Sequence, residues 1–348
     1  MKKAIAILLS LIMILSLLCA CAKTDTTPAA DTASAPADTA DTAAAPAEEE
    51  KIVVAGVVFQ DDQFMNMLTQ GYKDAAADLG VEILTANSNN DQAKEVELIN
   101  TYITQGVKGI AIDPLSTEAT IATLRTAYEA GVEVALVDQN IPSADFIAAG
   151  YCSDNYVNCK LVGDVAAQLI KEKYGDRTIK LAIVQFKSQL PELSQSRVDG
   201  YMAALDELGV KYEIVANQDA WLQDMGIEVV GGIITANPDL DVILAMNDGG
   251  TIGSAMAVVN AGKSDDIMVF GHDGSDQISS MVLDESNPLQ AVVAQDPYTQ
   301  GYKAIEGLVN AIRTGKVEER GVSTVVPGTV LSITEPDAVN AWRAAQGY

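Results

Sequence analysis

Five polar side chains fall at or just after the ends of apolar, β-rich runs: Asp113, Asp138, Asn247, Asp273 and Gln295. Ionised carboxylates accept hydrogen bonds, and the amides of Asn and Gln both donate and accept. Such a set suits a ligand with a rim of hydroxyls, as in a sugar or polyol. Taken singly, each Asp or Asn could equally cap the helix that follows. Five in register across both halves of the chain point instead to one shared site. Catalytic patterns are missing. His272 is the only histidine, and neither HExxH, GxSxG nor a Cys/His pair at ligand spacing occurs. The run Asp248-Gly249-Gly250-Thr251-Ile252-Gly253 imitates a phosphate loop but lacks the Lys-Ser/Thr ending and the full GxGxxG. Glycines opening a helix after a strand account for it. Paired carboxylates also serve glycosidases, yet hydrogen bonding explains them with no catalytic step. The expectation is a binding protein, not an enzyme, with no cofactor and no metal.

The elements that must hold these residues alternate. Strands are expected at 52–58, 81–84, 109–112, 132–137, 179–184, 212–215, 242–245, 267–270 and 291–294, many of them near-continuous Val, Ile and Ala. Such runs suit parallel strands covered on both faces. Between them lie helix-length stretches, with Val96, Ile99 and Ile103, then Val157, Leu161, Val165 and Leu169, at helical spacing. Gly80, Gly131 and Gly209 each follow a helix and precede a strand, where a left-handed cap fits. Repeating βα units give doubly wound sheets, and their number suits two cores better than one. In such sheets a ligand lies beyond the carboxyl ends of the strands.

The ends of the chain carry other information. Lys2 and Lys3 precede an uncharged apolar run at 4–18, shorter than the ~20 residues of a membrane span. It reads as an export signal over 1–20. Leu18-Cys19-Ala20-Cys21 has the form of a bacterial lipobox, with Cys21 the residue to be lipidated; a plain cleaved signal that contains cysteines is the other reading. Residues 21–50 hold almost only Ala, Thr, Asp, Pro and Glu, too little apolar surface to offset ordering. They read as a tether, reaching on the order of 30 Å as a coil. The formal net charge of −26 argues against nucleic acid and anionic lipid as partners. Cys152 and Cys159 remain in the body of the chain, either as a disulfide or as two small apolar residues.

Several short motifs stand out along the body. They are Asp61-Asp62-Gln63-Phe64-Met65, Ser88-Asn89-Asn90-Asp91-Gln92-Ala93-Lys94, Asp113-Pro114 and Val137-Asp138-Gln139. Further on come Ser153-Asp154-Asn155, Arg197 before Val-Asp-Gly-Tyr, Ala220-Trp221, Met246-Asn247-Asp248, Phe270-Gly271-His272-Asp273-Gly274 and Val293-Ala294-Gln295. As a group they resemble the type I periplasmic sugar-binding proteins, particularly the ribose and glucose/galactose receptors, over nearly all of 51 to about 326. Departures are Asp113 where the family has Asn, Gln139 where ribose receptors have Arg, and the segment 187–194, which follows neither branch. Glu192 in that segment could approach the cleft.

The resemblance implies an α/β fold of two doubly wound parallel-sheet lobes joined by a three-crossing hinge, the periplasmic binding protein-like I class. It places lobe 1 at 51–153 with 296–325 and lobe 2 at 154–295 with 326–348. It implies that Asp62, Asp113, Asp138, Gln139, Arg197, Asn247, Asp273 and Gln295 bond ligand oxygens, and that Phe64 and Trp221 stack on the ring. Each bond to a charged group contributes about 1.5–3 kcal/mol. About four would approach the roughly −8.2 kcal/mol of a micromolar complex, before ordering costs. The acids are numerous: Asp62, Asp113, Asp138 and Asp273 share one cleft with Arg197 as the only evident base. Either one carboxylate is protonated against a neutral sugar or polyol, the preferred reading, or the ligand is an amino-sugar or other cation. The partners implied are a monosaccharide or polyol, the membrane permease of an ABC transporter and the membrane through the lipid anchor, with the chain a monomer. A sensory receptor for a membrane signalling protein is the alternative. A sugar-responsive transcription regulator would need a DNA-binding headpiece where the export signal stands.

Overall fold

A computed structural model describes residues 51–348. The expected signal, tether and lipidated Cys21 lie outside the described residues. The chain runs β1 (Val53–Val58), α1 (Gln63–Leu79), β2 (Glu82–Asn87), α2 (Gln92–Gln105), β3 (Gly109–Ile112), α3 (Ala119–Glu129), β4 (Glu133–Asp138) and β5 (Ala149–Cys152). It continues through α4 (Asn155–Tyr174), β6 (Ile179–Gln185), α5 (Pro191–Glu207), β7 (Tyr212–Asp219), α6 (Gln223–Ala236), β8 (Val242–Ala245), α7 (Asp248–Asn260) and β9 (Met268–His272). Last come α8 (Asp276–Leu283), β10 (Leu289–Ala294), α9 (Pro297–Thr314), β11 (Thr324–Val325), β12 (Thr329–Ser332) and α10 (Pro336–Gln346).

Two six-stranded sheets result, in the orders β11-β5-β4-β3-β1-β2 and β12-β10-β9-β8-β6-β7. Every pairing is parallel except β10 with β12. The central strands β3, β8 and β9 are buried along their whole length, which is why they read as unbroken apolar runs. Register brings their ends level. Ile112 pairs with Val57 and Leu136, Ala245 with Val184, and His272 with Val293. The residues just beyond these ends therefore line the same edge of each sheet.

The chain passes between the sheets three times. β5 belongs to the first sheet, and α4 packs on α5 and the strands of the second. β10 belongs to the second, while α9 returns to pack on α1 and β4. β11 and β12 then sit in opposite sheets. Glycines let the helix pairs approach closely. A Cβ at Gly301 of α9 would lie 2.3 Å from the Leu68 carbonyl oxygen of α1, and one at Gly200 of α5 2.4 Å from that of Tyr156 in α4. Such contacts leave no room for any side chain.

Three strands escape the sequence reading: β5, β11 and β12. All are at most four residues long, too short for a period to show. Cys152 and Cys159 are both free and buried, so the two-thiol reading holds and the disulfide does not form. Trp342 of α10 packs over Gly274, where a Cβ would meet its ring at 3.0 Å.

Candidate ligand-binding cleft

Between the sheets lies a narrow cleft lined by residues of both lobes. The first lobe contributes Phe59, Gln60, Asp62, Phe64, Met65 and Asp138. The second contributes Phe186, Gln189, Leu190, Leu193, Arg197, Asn247, Asp248 and Asp273, with Gln295 at a crossing. Seven of the ten residues expected from sequence are thus brought together: Asp62, Phe64, Asp138, Arg197, Asn247, Asp273 and Gln295.

Asp138 and Asp273 end strands of opposite lobes and share an unusual backbone, with φ of 63° and 74°. Non-glycine residues rarely adopt this left-handed conformation, and aspartate is among those that tolerate it best. The Asp138 N–H donates to Gln300 Oε1 at 2.9 Å, and that of Asp273 to the Val293 carbonyl at 2.8 Å. These bonds hold the strained turns that aim both carboxylates at the cleft.

Arg197 is 4% exposed and is held from every side. Its Nε donates to Asn155 Oδ1 at 2.7 Å, Nη1 to the Met246 carbonyl at 2.7 Å, and Nη2 to Gln295 Oε1 at 3.3 Å. Asp273 Oδ2 lies 3.8 Å away, and the guanidinium carbon sits 5.2 Å from the Phe186 ring centre. Gln295 in turn donates from Nε2 to Asp138 Oδ1 at 3.4 Å, so one amide links the arginine to the opposite aspartate. Asp273 Oδ2 also accepts from the Asp248 N–H at 2.9 Å. The cap and site readings turn out to be compatible. Asp62 Oδ1 accepts from the Met65 N–H at 2.8 Å and Asn247 Oδ1 from that of Gly250 at 3.1 Å, yet both residues line the cleft.

Three expected residues stand elsewhere. Asp113 is fully buried, and Gln139 Nε2 donates to its Oδ1 at 3.0 Å and to the Pro114 carbonyl at 2.7 Å. With Asp in place of Asn and Gln in place of Arg, the two side chains bond each other through Oδ1, while Asp113 Oδ2 stays buried and unpartnered. Trp221 is half-buried with its Nε1 unpartnered, and its carbonyl accepts from Asn247 Nδ2 at 2.8 Å. The lobe 2 ring facing the space is Phe186. Glu192 lines an adjoining depression with Gln139 and Leu193. Sequence reading did not name Phe59, Gln60, Met65, Phe186 or Asp248 as site residues, and from the 187–194 segment it named only Glu192. Gln60 was within reach of the strand-end rule, since it is polar and follows β1. The 189–193 stretch carries no pattern.

Contacts across the mouth show a closed arrangement. Gln189 Nε2 donates to Gln60 Oε1 at 2.7 Å, Gln63 Nε2 to Gln277 Oε1 at 2.9 Å, and the Phe64 N–H to Asp248 Oδ2 at 3.5 Å.

Closure concentrates charge. Burial pushes Asp62 up to about 6, against the Met65 N–H and the Gln60 amide, with Asp273 and Asp61 adding to the rise. Burial likewise pushes Asp138 up to about 6, against the pull of Arg197 and Gln295. Asp248 and Asp113 are raised well above the usual range by burial and by neighbouring aspartates. Asp273 moves the other way: burial raises it, but the His272 ring, Arg197 and the Asp248 N–H outweigh that and hold it low. Burial and Arg197 bring His272 down to about 4, so its ring is neutral at pH 7. Its Nδ1–H faces Asp273 Oδ1 at 3.1 Å.

Asp62 and Asp138 have folded values above their unfolded ones, so between about pH 4 and 6 the folded state holds more protons. Their contribution to unfolding free energy therefore falls as pH rises through that window. Urea unfolding of the ligand-free protein should show this, and Asp138→Asn should flatten the slope. An unchanged slope in that variant would contradict the assignment.

Comparison with known proteins matches this architecture. The sequence profile of the periplasmic binding protein domain fits residues 52–316, and the chain belongs to that family of binding proteins. Relatives include the D-apiose import binding protein of Actinobacillus succinogenes, 28% identical over 73% of this chain and 80% of that one. The D-allose-binding periplasmic protein of Escherichia coli is 29% identical, covering 72% and 81%. The ribose import binding protein of the same organism is 28% identical, covering 75% and 84%. Among solved structures, an ABC transporter solute binding protein from Bacillus halodurans with bound myo-inositol shares the fold. It superposes with a TM-score of 0.75 at 20% identity, covering 84% of this chain and 98% of that one. The two-lobed, parallel-sheet class expected from sequence is the one found. Among the described residues, no helix is long and apolar enough to cross a membrane.

Proposed function

We propose that this chain is the extracytoplasmic, lipid-anchored substrate-binding component of an ABC-type importer, and that it closes on one monosaccharide or polyol. The observation that carries the reading is the cleft itself. Aromatic faces from both lobes, Phe64 and Phe186, meet a rim of carboxylates, amides and one guanidinium. A sugar offers C–H faces to the former and hydroxyls to the latter. Two left-handed aspartates preset that rim, which reduces the ordering cost of binding. The curated relatives, named for apiose, allose and ribose, support the same class. Lobe 1 is taken as 51–153 with 296–325, and lobe 2 as 154–295 with 326–348. The crossings near Ser153, Gln295 and Val325 form the hinge, and ligand favours the closed form because only there do both lobes touch it. A thermal-shift panel of pentoses, hexoses and polyols tests the class. At least one member should raise the unfolding midpoint in a concentration-dependent way; a flat response across the panel would count against it.

The anchor is tested separately. Cys21→Ser should release the protein from cells into the medium, and full membrane retention of that variant would contradict lipidation at Cys21.

A further inference from the structure

The hydrogen-bond inventory of the cleft is unbalanced. Four carboxylates line it, Asp62, Asp138, Asp248 and Asp273, against the single cation Arg197. That cation is already engaged: Asn155, the Met246 carbonyl and Gln295 accept its N–H groups, and its ion partner is Asp273 at 3.8 Å. The other three carboxylates have no ion pair among the described residues. Asp62 and Asp248 are nonetheless supplied with donors, from the Met65 N–H and Gln60 amide and from the Gly249 and Phe64 N–H groups. Asp138 is not. It is 4% exposed, faces the cavity, and accepts a single long bond, 3.4 Å from Gln295 to Oδ1, with no donor to Oδ2.

A buried carboxylate with no cation in direct contact is costly unless the ligand supplies one. A hydroxyl donates one charge-assisted hydrogen bond to it but leaves its charge in place. An ammonium donates up to three and neutralises it. Phe59 and Phe64, on the same lobe, line the same space, and aromatic rings also attract a cation.

We propose that the ligand is an amine-bearing sugar or polyol whose ammonium sits against Asp138, while its hydroxyls meet the amides and the other acids. This rests on the sugar-class reading above and narrows it.

Isothermal titration at neutral pH of matched sets tests it: glucosamine with glucose and N-acetylglucosamine, galactosamine with its two counterparts, glucamine with sorbitol, and an inosamine with myo-inositol. In at least one set the amine should bind at least about tenfold tighter than its hydroxyl and acetylated partners. Asp138→Asn, nearly isosteric, should erase that preference while leaving the circular dichroism unchanged. If a neutral sugar or polyol binds as tightly as its amine, the inference is overturned and the sugar-class reading stands. If no member of any set binds, both fall. If Asp138→Asn folds and keeps the amine preference, the placement of the ammonium is overturned.

Discussion

Arg197→Ala should abolish measurable ligand binding, with Kd rising by more than about 100-fold, and should also lower stability. The guanidinium serves four neighbours at once: Asn155, the Met246 carbonyl, Gln295 and Asp273. Its removal leaves three acceptors without donors and Asp273 without a counter-charge. Breaking a buried pair by removing one partner costs about 3–5 kcal/mol. Part of that appears as lost stability, because the arginine joins the loop after β8, the start of α4 and the Gln295 crossing even without ligand. Arg197→Lys should recover little, since one ammonium cannot reproduce a planar fork aimed at separate acceptors. Titration calorimetry and a thermal melt of both variants check this. Wild-type affinity and an unchanged melting point in Arg197→Ala would contradict the geometry.

Phe64→Ala should weaken binding by about 2–4 kcal/mol, roughly 30- to 1000-fold, and should also lower stability, because the buried ring belongs to the core. The ring is 8% exposed and faces the cleft from the first turn of α1, where truncation opens a site built to exclude water. Trp221→Ala should cost less. The indole lies behind the lining, packed against the core that includes Phe59, Phe64 and Phe186, so its loss loosens a wall and leaves the contact surface in place. The same titrations separate the two. Equal losses in both variants would mean that Trp221 swings onto the ligand.

These contrasts show what a sequence can carry. The strand-end rule found Asp138, Asn247, Asp273 and Gln295 because parallel register puts all such residues on one edge, whatever the loops do. It could not distinguish a residue aimed over the edge from one folded back beneath it. Asp113 occupies an equivalent strand end, yet Gln139 beside it offers an amide, and the two pair with each other. Trp221 likewise does not line the space in this closed arrangement: it is half-buried and packs against the neighbouring core. Phe186 and Leu190 come from a loop with no period, whose path is set by contacts such as Ser194 Oγ with the Phe186 N–H. The fold itself was more legible, because buried parallel strands must be apolar throughout, and only three short strands, β5, β11 and β12, were missed.

The central claim is that one small polyhydroxylated molecule is held between the lobes. The most direct test is a co-crystal structure with whichever member of the titration panels binds tightest. Difference density should show a ring between Phe64 and Phe186, with polar atoms within hydrogen-bond distance of Asp138, Asp273 and Arg197. Density for that molecule anywhere outside this cleft, with the lobes closed as described, would contradict the account.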